Sequence, residues 1–113
     1  MSTTHSFAEE RPPIYSTLAD DPDMAELVEM FIDELPQRMA GADELAGRSD
    51  WDSLGRLAHQ LKGAAGSYGL PVLTEAAAVL ERACRITRQE SEIREALREL
   101  TADCARVRYR DDA

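Results

Sequence analysis

The sequence predicts an all-α fold, an up-down antiparallel four-helix bundle with a short N-terminal arm or helix. Three observations carry this. Alanine and leucine supply 29 of the 113 residues, against 8 for valine and isoleucine, and aromatic residues make up only 5%. That balance suits helices, because β-branched and aromatic side chains are the usual material of strands. Four stretches repeat apolar residues at three- and four-residue steps, and short connections join them. The length suits one domain, with a core large enough to stand without staples.

Residues 1–21 contain Pro12-Pro13 and scattered polar residues without a period, so they read as a flexible arm with at most one helical turn near 15–19. The bundle is expected over 22–110. Met24, Leu27, Val28, Phe31, Ile32, Leu35 and Met39 mark the first helix, which runs to about Arg48. Asp23, Glu26 and Glu29 suit its positive N-terminal end. Pro36 should kink or split it, since proline lacks a donor and crowds the preceding turn. Ser49 and Asp50 are cap candidates for a second helix from Trp51 to about Tyr68. Gly69 reads as its C-cap, and Pro71 as the first residue of a third helix that turns Leu73, Ala76, Ala77, Leu80, Ala83 and Cys84 inward. After a break at Gln89–Ser91, capped by Thr87 or Ser91, the fourth helix follows with a seam of Ile93, Leu97, Leu100, Cys104 and Val107.

Net charge is −9, and all of it lies in the first half: residues 1–50 hold twelve acids and three bases, residues 51–113 ten of each. An acidic surface repels phosphate backbones and anionic lipids, so neither nucleic acid nor a membrane is expected as partner. No apolar run approaches the ~20 residues needed to span a bilayer, and the N-terminus lacks a signal peptide's regions, so a cytoplasmic location is expected. Cys84 and Cys104 fall on apolar stripes at different levels of two helices and read as unbridged core residues. A closed four-helix core gives no reason to expect more than a monomer.

One helix departs from these rules. Four of the six glycines lie between Trp51 and Gly69, and three of them, Gly55, Gly63 and Gly66, are interior. Each interior glycine costs about 1 kcal/mol relative to alanine. At 100° per residue, Asp52, Gly55, Arg56, Lys62, Gly63 and Gly66 all fall within about 60° of His59, while Leu57, Leu61, Ala64 and Tyr68 fall near the opposite pole. A lone exposed histidine ordinarily has no function, and helix glycines often serve close packing. Packing, however, would place them on the buried face, and this plot places them opposite it. Lys62 is also the only lysine, against twelve arginines.

Other chemistries lack their parts. No nucleophile–base–acid set accompanies the histidine. His5 is the only other histidine, Arg56 stands where a Glu-x-x-His pair would need an acid, and there is no glycine-rich nucleotide loop. An exposed nitrogen nucleophile with a cation beside it and room for a partner suits a covalent carrier between proteins, phosphate being the natural group.

The run His59-Gln60-Leu61-Lys62-Gly63-Ala64-Ala65-Gly66-Ser67-Tyr68-Gly69 closely resembles the signature of histidine-containing phosphotransfer (HPt) domains. Phe31 to Pro36 looks like that family's first core helix, and Leu80-Glu81 like its partner-helix segment. The resemblance implies a phosphorelay intermediate without kinase activity. It would accept a phosphoryl group on His59 from a receiver-domain aspartate and pass it to another receiver. It also implies that Lys62 offsets phosphate charge, that Glu81 orients the ring through its inner nitrogen, and that Gly63 and Gly66 admit the receiver; the helical plot adds Gly55 to the expected docking residues. Mg²⁺ would belong to the receiver, leaving this chain without a cofactor or metal of its own. Two alternatives share the residues: a histidine domain fed by a chemotaxis-type kinase, and an adaptor bundle that is never phosphorylated. The lack of an ATP-binding region after the last helix favours the free-standing carrier over the first, and intact His59 and Lys62 count against the second.

Overall fold

The computed structural model describes residues 11–109. Four helices form the body: α1 (Ala25–Gly47), α2 (Trp51–Ser67), α3 (Pro71–Arg82) and α4 (Glu90–Ala105), with a π-helical turn at Ala83–Thr87 between the last two. Each helix touches the next and α4 returns to α1, so the four close a bundle around one core. Leu54, Leu61, Leu70, Leu73, Leu80, Ile93 and Leu100 are fully buried in it. The α2–α3 pair packs most extensively. Among the described residues no helix is long and apolar enough to cross a membrane.

Local chemistry sets the boundaries. The Asp50 carboxylate caps α2 by accepting from the Ser53 amide at 3.2 Å. Gly69, at φ +74°, reverses the chain after α2, and Pro71 opens α3. The first helix runs unbroken through Pro36, against the expected split. Pro36 is exposed, so its missing donor falls on the solvent side, where water can satisfy the orphaned carbonyl. Leu27, expected inward, is exposed, and Ile32 is only partly buried.

Two expectations need correction where α3 gives way to α4. The helix after Arg82 does not simply stop: the Arg88 amide reaches back five residues to the Ala83 carbonyl at 2.8 Å, which closes the π turn. Neither Thr87 nor Ser91 caps α4. Gln89 holds the cap position without a side-chain bond, and the Thr87 hydroxyl donates to the Ala83 carbonyl instead.

Residues 11–21, the second half of the expected arm, are fastened to the body; the rest of that arm, with His5, lies outside the described residues. Two two-residue strands, β1 (Ile14–Tyr15) and β2 (Val107–Arg108), pair in parallel, with Ile14 opposite Val107. Val107 therefore belongs to a strand and not to the α4 seam. Ile14 and Val107 are both buried, so the pairing covers one end of the core. The chain then turns, and Ser16 and Thr17 bond the Tyr68 and Gly69 carbonyls at 2.6 and 2.8 Å.

Candidate functional site

The side chain of His59 is 57% exposed on α2. Its position follows from the buried face of that helix, which is Leu54, Ala58, Leu61 and Ala65. On the helical plot this face is centred about 50° from the pole opposite His59. The shift leaves the imidazole at the α2–α3 edge, over the groove between the helices, where α3 can meet it.

What meets it is Glu81. The carboxylate Oε2 lies 2.9 Å from His59 Nδ1, Oε1 lies 2.9 Å from Lys62 Nζ, and Oε2 is also 3.2 Å from an Arg85 guanidinium nitrogen. Glu81 is the most enclosed member of this group, at 12% side-chain exposure. The bond from Lys62 is the main influence holding its pKa below the ordinary carboxylate range. Partial burial opposes this, and the His59 bond adds to it. Glu81 is therefore an anion at neutral pH.

That charge state fixes the chemistry of the ring. An ionised carboxylate has no proton and can only accept, so in neutral His59 the Nδ1 must carry the hydrogen. Nε2 is left with its lone pair, on a side chain more than half exposed. The arrangement is a nitrogen nucleophile with fixed tautomer and orientation, beside an ammonium group.

The glycines divide. A Cβ at Gly63 would meet nothing within 4 Å, and one at Gly66 would meet only the Thr74 hydroxyl, at 3.7 Å. Both are exposed one and two turns beyond His59. Gly55 is different: it is buried, and a Cβ there would stand 3.2 Å from the Cys84 Cβ and 3.4 Å from Arg85 Cγ. Its place is in the packing of α2 against the π turn, so the docking role expected for it is corrected. The rotation of the buried face explains the misreading, because it carries Gly55 from the open side to the edge of the interface.

The family model of the Hpt domain matches residues 26–110. The chain belongs to the Hpt-domain family. Comparisons with curated proteins and with solved structures gave no match. Hpt membership indicates a histidine phosphotransfer role in a phosphorelay, that of a phosphocarrier. The matched span contains His59, Lys62, Glu81, Gly63 and Gly66, which the Hpt fold brings to one side of α2 and its junction with α3. Sequence reasoning missed one member of the site. Arg85 stands four residues after Glu81, a spacing that puts the two on one helical face, but the widened turn at 83–87 leaves no signature in the residues.

Proposed function

We propose that His59 accepts a phosphoryl group on Nε2 from the aspartyl phosphate of a receiver domain and passes it to the aspartate of another. The reading rests on one contact, His59 Nδ1 to Glu81 Oε2 at 2.9 Å. The Nε2 lone pair attacks phosphorus, the bond to the aspartyl oxygen breaks, and a carboxylate leaves. The ring keeps its proton on Nδ1 and gains a positive charge, which faces the Glu81 anion. Onward transfer reverses these steps at a second carboxylate, and the neutral Nδ1–H ring is the leaving group. Lys62 sits three residues from His59 and turns its ammonium toward the incoming phosphoryl group, offsetting charge as it develops.

Gly63 and Gly66 keep the approach to Nε2 low, so the receiver's active-site loops can close on it. The receiver brings its own Mg²⁺, and this chain contributes no cofactor. For this role the domain acts as a cytoplasmic monomer.

Label transfer from a phosphorylated receiver tests the reading. Acid-labile, alkali-stable label is expected on the wild type and absent from His59→Gln, with thermal melting of the variant nearly unchanged. Gly63→Leu should slow transfer without loss of helical content. A folded wild-type protein that takes no label from several receivers would overturn the proposal in favour of a kinase-fed domain or an adaptor.

A further inference from the structure

Glu81 carries more partners than orienting a ring requires. Its Oε2 is shared by His59 Nδ1 and Arg85, and its Oε1 is held by Lys62. These two cations have different futures once His59 is phosphorylated, and the part Arg85 plays in transfer rests on that reading of the site. Lys62 lies three residues after His59 on the same helix, and if it turns to a group on Nε2 it gives up Oε1. Arg85 sits in the π turn and holds Oε2, the same oxygen that faces Nδ1.

That anchorage is built from several contacts. The side chain of Arg85 passes beside Gly55: a Cβ at position 55 would stand 3.4 Å from its Cγ and 3.5 Å from its Nε. The absence of a side chain there leaves the channel along which the arginine runs. At the end of the turn Arg88 bonds the Cys84 carbonyl at 3.0 Å and Asp52 at 3.2 Å, tying the turn to α2 from a second direction. The π turn is thus fixed to the helix that carries His59, and π turns recur at functional sites.

We propose that Arg85 is a positioning residue for His59: its grip on Glu81 Oε2 keeps the carboxylate against Nδ1 when Lys62 leaves for the phosphoryl group. Gly55 is the second part of the device, since it provides the space for the arginine stem. The role of Arg85 is exercised entirely through Glu81, so its removal matters only while Glu81 is a carboxylate.

The ring tautomer of His59 tests this without phosphorylation, because Lys62→Met imitates the lysine's departure. Ring nitrogen NMR signals, assigned by their loss in His59→Gln, are expected to show Nδ1–H predominating in Lys62→Met. In Lys62→Met/Arg85→Leu the tautomer ratio should move toward Nε2–H by about two- to fivefold, the range of a half-exposed ion pair. Arg85→Lys in the same background should restore most of it. An unchanged ratio in the double variant overturns the proposal. In otherwise wild-type protein, Arg85→Leu should slow transfer to a receiver from His59 charged with phosphoramidate by about two- to fivefold. The same substitution in Glu81→Gln should change nothing further, and an equal loss in that background overturns a role through Glu81. If phosphoramidate leaves wild-type His59 unlabelled, the phosphotransfer reading fails, while the tautomer measurement still decides Arg85.

Discussion

Gly55 lies so close to Cys84 that a Cβ on the glycine would stand 3.2 Å from the Cβ of the cysteine. This is tighter than ordinary van der Waals contact, and it joins the helix of His59 to the π turn. A branched side chain there must push the turn away. Gly55→Leu is expected to cost about 1–3 kcal/mol of unfolding free energy by overpacking. Gly63 is the counter-example on the same helix, with open space around it. Gly63→Ala should stabilise the fold by about 0.5–1 kcal/mol through helix propensity alone. Urea denaturation of the two variants checks both signs, and equal effects would contradict the division between a packing glycine and an open one.

Glu81 makes the stability depend on pH in a stated direction. Its carboxyl is held below its ordinary value of 4.5 by the Lys62 bond first and the His59 bond second. A group that ionises more readily in the folded state than in the unfolded one stabilises the fold when ionised. That contribution is complete above the ordinary value and disappears as pH falls through the lower, folded one. The stability difference between wild type and Glu81→Gln should therefore be constant from about pH 7 to 5 and narrow toward about pH 3. Denaturation midpoints at a series of pH values read this directly. A gap that widened on acidification would mean that Glu81 is not held as an anion.

Gly69 combines a left-handed backbone with crowding. At φ +74° its Cβ position would fall 2.6 Å from the Thr17 hydroxyl, 2.9 Å from that of Ser16 and 3.0 Å from Leu18 Cγ. Gly69→Ala should cost about 1–3 kcal/mol from the backbone alone, and displacement of residues 16–18 adds to it. Chemical denaturation gives the cost, and protection of the Thr17 amide from hydrogen exchange shows whether the 16–18 segment has let go.

The two thiols should be inert in the folded protein. Burial, with the nearby Asp103 charge adding to it, pushes the Cys104 thiol up to about 12; burial also raises Cys84, against the pull of Arg88 and Arg85. Alkylation at about pH 8 is expected to be at least about tenfold slower than in the unfolded chain, because the thiolate is the reacting species. Fast labelling of either cysteine under native conditions would place it nearer the surface than the structure does.

Punctuation made the middle of the chain legible. Asp50, Gly69 and Pro71 each act on the backbone within a few residues, so their effects are written where they occur, and they bound α2 and α3 as expected. The contact between His59 and Glu81 came from a family resemblance, since no local rule sets the register of two helices. Gly55 was misplaced for a physical reason: a helical plot gives relative directions, and only packing decides which direction is inward. The π turn was illegible because Ala83 to Thr87 suits an α-helix equally well, and the wider turn arises from the Arg88 reversal and the anchors on α2. Ile14 and Val107 gave no strand signal. Two residues are too few to show a period, and each is ordered by a partner at the other end of the chain.

That last pairing bears on the order in which the molecule assembles. Arg106 reaches the Pro12 carbonyl across 94 residues of chain, beside the Ile14–Val107 pair, whereas α2 and α3 are joined by a three-residue connection. Closing a long loop costs more chain entropy than closing a short one, so the α2–α3 hairpin has the advantage as a nucleus and the strand pair forms after it. Ser16 and Thr17 follow directly from the first strand and hold the carbonyls just beyond the His59 helix. The helix that carries the histidine therefore begins early in folding and is finished last. Damage to the strand pair should be felt mainly as faster unfolding, with the folding rate little changed.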